Sequence, residues 1–432
     1  TYLKAHPLAT SDLKTQQAVT EIFRRTDGLP GKIDSALKTL RVVSLSELGI
    51  GATVGHDVLP PPQEAIPASL ISAVGTLTNS PDPSSKRSYF LLKVLAVLPH
   101  GDSLQRLKRI EPQTPIYPRN AEELFELDLI HVRASTTLIG TDGGSEERLK
   151  VLVASRPVRD YVLSLMTDRE IDNLVRKAIS LYFGQEWRSG QASLAKLGGT
   201  LTTDDGSLLE NPHTLVLRLL ERAASAGSLQ PTSAELNLCQ IYCSALLAGK
   251  HHRNCATACR DILALIPAIG YDAHRNSLEF LLARALRMSG EAAEARKIFE
   301  HILDLSWPTE IKAQLLIGYA LCLQSLDDPN AIVVANQVFK LAPKSACAMQ
   351  AKSIVLEMED DADNAGKLLQ LENNARKLGF DTVANNLTLG RVPVDGDDDA
   401  GCEALRQVYS TAMTQGDSYT AARASTKLGN RL

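Results

Sequence analysis

The chain has 432 residues, of which 44% are hydrophobic, 22% charged and only 5% aromatic, and its formal net charge is -4. That length exceeds one ordinary compact domain, and the near-balanced charge excludes a whole-molecule attraction to nucleic acid or to an anionic membrane. Abundant Leu and Ala with few aromatics favour helices packed on helices over a β-sandwich. The seven cysteines are an odd number and fall in helical segments, which fits reduced thiols in a cytoplasmic protein. No apolar run of roughly 18 residues exists, and no basic stretch leads into an apolar core, so neither a membrane span nor a signal peptide is expected. A helical pattern starts soon after Thr1, which reads as a piece of a longer protein.

In residues 11–25, Leu13, Val19, Ile22 and Phe23 stand at helical spacing behind Ser11 as N-cap. Thr26 to Gly31 breaks the pattern, which resumes over 32–48 through Ile33, Leu37 and Leu40. Residues 49–67 are rich in Gly and Pro, with prolines at 60 to 62; a proline lacks an N–H and restricts its predecessor, so a linker is predicted. Helices are predicted over 68–78, 88–98, 103–110 and 120–127. Two β-prone runs follow, 129–132 and 149–153, around the turn cluster Gly140 to Gly144. Helices followed by a two-stranded wing describe a winged-helix unit.

From about Asp168 helix follows helix, with breaks near Gly190, Asp204 to Asn211, Gly227, Gly249, Pro267 to Gly270, Gly290, Pro308, Pro329, Pro343, Gly379 and Gly416. Arg275 to Pro308 is the clearest repeat: Leu282 and Leu286, the Gly290 turn, then Ala295, Phe299 and Ile302. Ala331, Ala335, Phe339 and Pro343 repeat the pattern. A small residue lets two helices approach, and a large one four positions on fills the gap beside it. The predicted fold is therefore mainly α: a helical segment (1–50), a linker (51–67), a winged helix (68–165) and a tetratricopeptide-like α-solenoid (166–432).

Few residues point to chemistry. Gly31-Lys32 is followed by Ile33 rather than Ser or Thr, and Thr26 stands where a Walker A motif opens with glycine, so phosphoryl transfer has no site and no enzyme is expected. Cys239 and Cys243, and Cys255 and Cys259, form two i, i+4 pairs with His251 and His252 between them. They are read as small core residues in preference to a zinc site, which favours two-residue gaps on turns. Asp395, Asp397, Asp398 and Asp399 lack EF-hand spacing and read as a solvated loop. The predicted third helix of the winged unit, residues 120–127, carries three glutamates and no lysine or arginine, which argues against DNA binding.

The succession "RRTDGLPGKIDSALKTL", "YFLLKVLAVLPHGDSLQRLKRI" and "AEELFELDLIHV" resembles the end of a STAND-class NTPase module, the group that includes NLR-type immune receptors. The resemblance covers about residues 10–165 by motif and the remainder by architecture. It implies that Gly28, Leu29 and Pro30 lie on the adenine side of a nucleotide site, with Pro30 packed on the base; the alternative is a plain helix-to-helix turn. The family's winged helix carries a Met-His-Asp signature that contacts phosphate. Here Ser155 and Arg156 fall at its histidine and aspartate, a departure, and Arg156 pairing with a nearby carboxylate is the alternative. The resemblance further implies ADP or ATP with magnesium on an upstream module outside this chain, with no cofactor held by the chain alone. It implies a protein trigger on the solenoid, homo-oligomerisation on activation, and a role in bacterial antiviral defence. A repeat-bearing transcription activator and a scaffold without nucleotide coupling remain the other readings.

Overall fold

The computed structural model describes residues 66–140, 146–189, 206–225, 231–267, 270–359, 363–393, 399–415 and 417–431, with isolated positions between 10 and 40 and at 192. Contacts divide the chain into two units. One comprises residues 1–99, 116–131 and 152–166; the other comprises 100–115, 132–151 and 167–432.

In the first unit, Leu13, Ile22, Ile33 and Leu37 form a small core with Val19 and Leu40 against it, as their helical spacing predicts. Four helices follow: α1 (Ala68–Asn79), α2 (Pro83–Val97), α4 (Pro118–Glu126) and α5 (Arg156–Leu165). Helix α2 lies at their centre, with α1, α4 and α5 packed on it; Leu91, Leu92, Val94, Leu95, Ala96 and Val97 are accordingly all buried. It begins five residues before the predicted Ser88. Proline sets the first helical φ, and the Asp82 carboxylate accepts from the Ser84 N–H at 3.1 Å. Helix α4 begins at Pro118 and so takes in Arg119, which corrects the expectation of a helix without a basic residue. One of its glutamates is also not free: Glu123 accepts from the hydroxyls of Ser85 (2.8 Å) and Ser88 (2.5 Å) on α2. Asn120, buried beside them, donates to Ser88 at 3.0 Å. Strands β1 (Ile130–Gly140) and β2 (Glu146–Ala154), most of whose residues belong to the second unit, pair as a two-stranded sheet and outrun the short runs predicted for them.

The second unit adds one turn of helix, α3 (Leu104–Leu107), and then α6 (Asp168–Phe183), α7 (Gly206–Ser225), α8 (Ser233–Ala248), α9 (His252–Leu265), α10 (Asp272–Met288), α11 (Ala292–Leu303), α12 (Thr309–Ser325) and α13 (Asn330–Leu341). The series ends with α14 (Ala346–Met358), α15 (Asn364–Lys377), α16 (Asp381–Arg391), α17 (Asp399–Thr414) and α18 (Ser418–Gly429). Capping boxes start two of them, Thr167 with Glu170 and Thr232 with Glu235. The predicted break over Asp204 to Asn211 is instead the start of α7, which runs through Pro212.

Successive helices pack as hairpins, and from α8 onward each first helix also packs on the next first helix: α8 on α10, α10 on α12, α12 on α14, α14 on α16, α16 on α18. These first helices begin about 37 residues apart, near the tetratricopeptide period of about 34. The unit is an α-solenoid in which each first helix from α8 onward stacks on the next. Leu282, Leu286, Ala295, Phe299, Ile302, Ala331 and Ala335 are buried as their spacing predicts, and Phe339 packs partly buried against them.

One device ends many of these helices. A residue with positive φ follows the last turn at Lys250 (65°), Gly290 (88°), Asp327 (54°) and Gly379 (75°). The next residue's N–H then reaches back five positions, as His251 does to Leu246 O and Glu291 to Leu286 O. Only three or four residues separate the two helices at these turns, and the next helix comes in close.

How close is set by Gly318 on α12. A β-carbon there would lie 2.7 Å from Cζ of Phe299, a fully buried ring on α11. Gly318→Ala is therefore expected to destabilise the solenoid by about 1–3 kcal/mol despite its better helix propensity. Gly75→Ala on α1, where the nearest neighbour is 4.0 Å away, is expected to stabilise its own unit by about 0.5–1 kcal/mol. Denaturant unfolding with hydrogen exchange read separately in α1 and α12 checks both signs.

Candidate functional site

The residues assigned to the adenine side, Gly28, Leu29 and Pro30, lie outside the described residues. Ser155 is the exposed N-cap of α5 and its side chain makes no capping bond. Arg156 opens the helix and pairs with Asp160 one turn on, Nε to Oδ2 3.3 Å, the local partner that the sequence offered as the alternative. Three residues later, Arg159 donates to the carbonyl of Pro99, joining α5 to the Leu-Pro end of α2.

The four cysteines do what small core residues do. Cys239, Cys243, Cys255 and Cys259 are all buried where α8 meets α9, and the Cys255 thiol lies 3.3 Å from the carbonyl of Cys243. Burial pushes the Cys239 thiol up to about 12; hydrogen bonding among the thiols, then burial, holds Cys255 and Cys259 above the ordinary thiol range, and Cys243 is raised too, against its bond with Cys259, by burial and the neighbouring thiols, so none is poised as a nucleophile. Among the described residues, no group of His, Cys, Asp and Glu is arranged to hold a metal. His252 is buried beside them; burial, then Lys250, Arg287 and His251, push it down to about 4, so it stays neutral at physiological pH. Of the acidic loop only Asp399 is described, and it begins α17.

A polar cluster that sequence reasoning missed lies in the second unit. Residues 100–115 follow α2 in the chain, and their side chains engage α6 and α7. The Tyr182 hydroxyl donates to Asp102 Oδ2 at 2.6 Å, and Asn211 Nδ2 donates both to Tyr182 Oη (3.1 Å) and to the Gly101 carbonyl (2.6 Å). Asn211 Oδ1 accepts from the His100 N–H at 3.1 Å, and Asp102 Oδ1 accepts from Ser103 N at 2.7 Å. Arg106 lies 3.6 Å from Asp102 and 5.1 Å above the Tyr182 ring. At the edge, His100 Nε2 sits 2.8 Å from Glu210, and Lys177 pairs with Glu111.

Asp102, Tyr182 and Asn211 are each 1% exposed or less. Such groups are costly to bury unless their bonds are complete, and here each is multiply bonded. Burial raises the Asp102 carboxyl above the usual carboxylate range, against the pull of Arg106 and the Tyr182 and Ser103 bonds. Burial and Asp102 together hold the Tyr182 phenol well above its ordinary value. With no open face towards a substrate, the cluster is an anchor rather than a catalytic centre. It fastens residues that continue directly from α2 to the first helices of the solenoid. The sequence signal was half present: Gly101, Asp102 and Ser103 fall in the run "YFLLKVLAVLPHGDSLQRLKRI", but Tyr182 lies 80 residues from Asp102 and Asn211 lies 110 from Gly101.

The solenoid offers two rows of exposed side chains. On first helices these include Ser244, Gln314, Lys352 and Thr382, all small or polar. Second helices expose large apolar groups: Val333 (57%), Leu369 (42%), Tyr409 (42%) and Met413 (55%). Exposed apolar groups of this size mark contact surfaces more often than polar ones do.

No family model matches the chain, and no curated protein matches it. Among solved structures, it is similar to a STAND (signal transduction ATPase with numerous domains) protein with a tetratricopeptide repeat sensor from Pyrococcus horikoshii, at 11% identity and a TM-score of 0.33. That alignment covers 97% of this chain and 66% of the other. Among the described residues, no helix is long and apolar enough to cross a membrane.

The anchor makes a signed prediction. Asp102→Ala strands the Tyr182 hydroxyl and the Ser103 N–H and is expected to cost about 1–3 kcal/mol, whereas Asp102→Asn keeps an acceptor and costs much less. Because the folded-state pKa of Asp102 is raised, its contribution is greatest below the unfolded carboxylate value and is lost as pH rises through the folded value. Asn removes that slope. Denaturant titrations of the three proteins at several pH values check it.

Proposed function

We propose that this chain is the trigger-sensing, autoinhibitory C-terminal portion of a STAND NTPase, working in the cytoplasm in bacterial antiviral defence. The observation that supports it best is the buried anchor formed by Asp102, Tyr182 and Asn211. It places residues that continue directly from α2 inside the unit that carries the stacked hairpins, so movement of the hairpins acts on the peptide leading to α2. A sensor needs such a mechanical route. In this reading α1–α5 with the β-hairpin act as the winged helix. Gly28, Leu29 and Pro30 border the adenine, and Ser155 and Arg156 face the phosphates of ADP. The P-loop, magnesium and hydrolysis belong to an upstream module, and this chain alone hydrolyses nothing.

A protein trigger binding the solenoid then releases the nucleotide module, exchange follows, and subunits homo-oligomerise to activate an effector. Inverting such a switch from about 1:99 to 99:1 takes about 5.5 kcal/mol of differential binding, within reach of an interface of about 1,600 Å². A second reading, a scaffold that gathers partners without nucleotide, is favoured by one observation: the apolar groups at Val333, Leu369, Tyr409 and Met413 offer contact area with no need of a switch.

Two measurements separate the readings. In the intact protein, Pro30→Ala is expected to speed ADP release about tenfold, the loss of about 1.4 kcal/mol of stacking, with folding unchanged; unaltered release favours the scaffold. Partner capture with the full chain, comparing Gln314→Arg with Met413→Asp, identifies the binding row. If neither unmodified chain nor variant captures a specific partner under phage challenge, the sensor reading fails.

A further inference from the structure

The turn between α8 and α9 has an unexpected occupant. The equivalent turns of the next two hairpins place Gly290 and Asp327 at the position of positive φ, and here that position is Lys250, at 65°. A lysine gains nothing locally from this conformation, which crowds its β-carbon and which glycine adopts freely. Gly249 precedes it with an ordinary φ of -75°, so the glycine available next door is not used. Backbone placed against preference calls for a compensating contact. The Lys250 ammonium supplies one: its Nζ lies 3.4 Å from Oδ1 of Asp417, 167 positions away in the sequence.

Asp417 is itself held firmly. It is the N-cap of α18, accepting from the N–H of Thr420 at 3.2 Å and from its hydroxyl at 2.8 Å, and its side chain is 12% exposed. Burial works against its charge, yet the Thr420 bonds and Lys250 keep it below the usual carboxylate range. The adjoining His252 is acted on by Lys250, Arg287 and His251 as well as by Asp417. Helix α18 otherwise packs on α16 and α17. The pair joins two turns that have four hairpins, α10 to α17, between them in the sequence.

We propose that Lys250 and Asp417 form a clasp that holds the solenoid wound, joining the α8–α9 turn to the start of α18, and that unwinding the sensor requires breaking this pair. A single, partly solvated ion pair is a weak fastener, favouring the closed form by about fivefold or less. That strength suits a device which a bound partner must undo. It is also sensitive to ionic strength.

The test uses the full chain carrying a donor dye at Arg253 and an acceptor at Ala422, both introduced as non-canonical amino acids at exposed positions. Lys250→Asp introduces the residue type that Asp327 supplies at the equivalent position of the α12–α13 turn, but repels Asp417. Asp417→Asn keeps a good N-cap and removes the charge. Both are expected to lower energy transfer and to speed amide exchange in α18 about fivefold, and 0.5 M salt (an added condition of about Debye-length 4 Å) should do the same to the unaltered chain. Lys250→Gly relaxes the turn, so the α8–α9 hairpin should exchange more slowly while energy transfer still falls. Unchanged energy transfer in Lys250→Asp overturns the clasp, and so does faster exchange in α18 without a change in transfer, which would mean a merely local loss.

Discussion

The solenoid depends on how its helices stop. After α8, α10 and α12 the chain turns back onto the second helix through three or four residues, one of them in the left-handed region with a backbone bond from the next residue reaching back five positions. Gly290 does so at no steric cost and Asp327 and Lys250 under some strain, while Gly379 plays the same part between α15 and α16. Between neighbouring hairpins the approach is closest at the bare Cα of Gly318 on α12 against the Phe299 ring on α11. Stacking then buries one face of each hairpin on the next, which no hairpin could do alone.

Burial of polar groups serves a different purpose in this molecule. The apolar contacts of the repeats are interchangeable in kind, since many combinations of Leu, Ala and Phe would fill the same space. The Asp102, Tyr182 and Asn211 cluster is not interchangeable, because each donor has one acceptor at one distance. It therefore fixes residues 100–115 in a single register on α6 and α7. The Ser85, Ser88, Asn120 and Glu123 set does the same for α4 on α2. In both places a stretch that sequence alone would leave free to slide is pinned by direction-dependent bonds.

The same contrast separates the cysteines from the lysine. Cys239, Cys243, Cys255 and Cys259 draw attention by their spacing, yet burial leaves them as neutral thiols filling space between two helices. Lys250 draws none, being one cation among many on a surface turn, yet it is the residue whose backbone and side chain both depart from the pattern of its repeat. Spacing reports local periodicity; it carries no information about what a side chain meets after four further hairpins have been laid down.

The sequence by itself determined the helical class, the existence of hairpins and most of their apolar cores, because helical period and small–large alternation are local signals that survive without tertiary context. Leu13, Ile22, Ile33, Leu37, Leu286, Phe299 and Ala335 were all legible in this way, and all are buried. Helix starts at Pro83 and Pro118 were less so, since they turn on a single capping bond or on a proline that reads equally as a break. Only the tertiary structure decided the anchor and the clasp. Their members are 29 to 167 positions apart, and pairings at that range are set by how rigid helices stack, a geometry that accumulates over the whole solenoid.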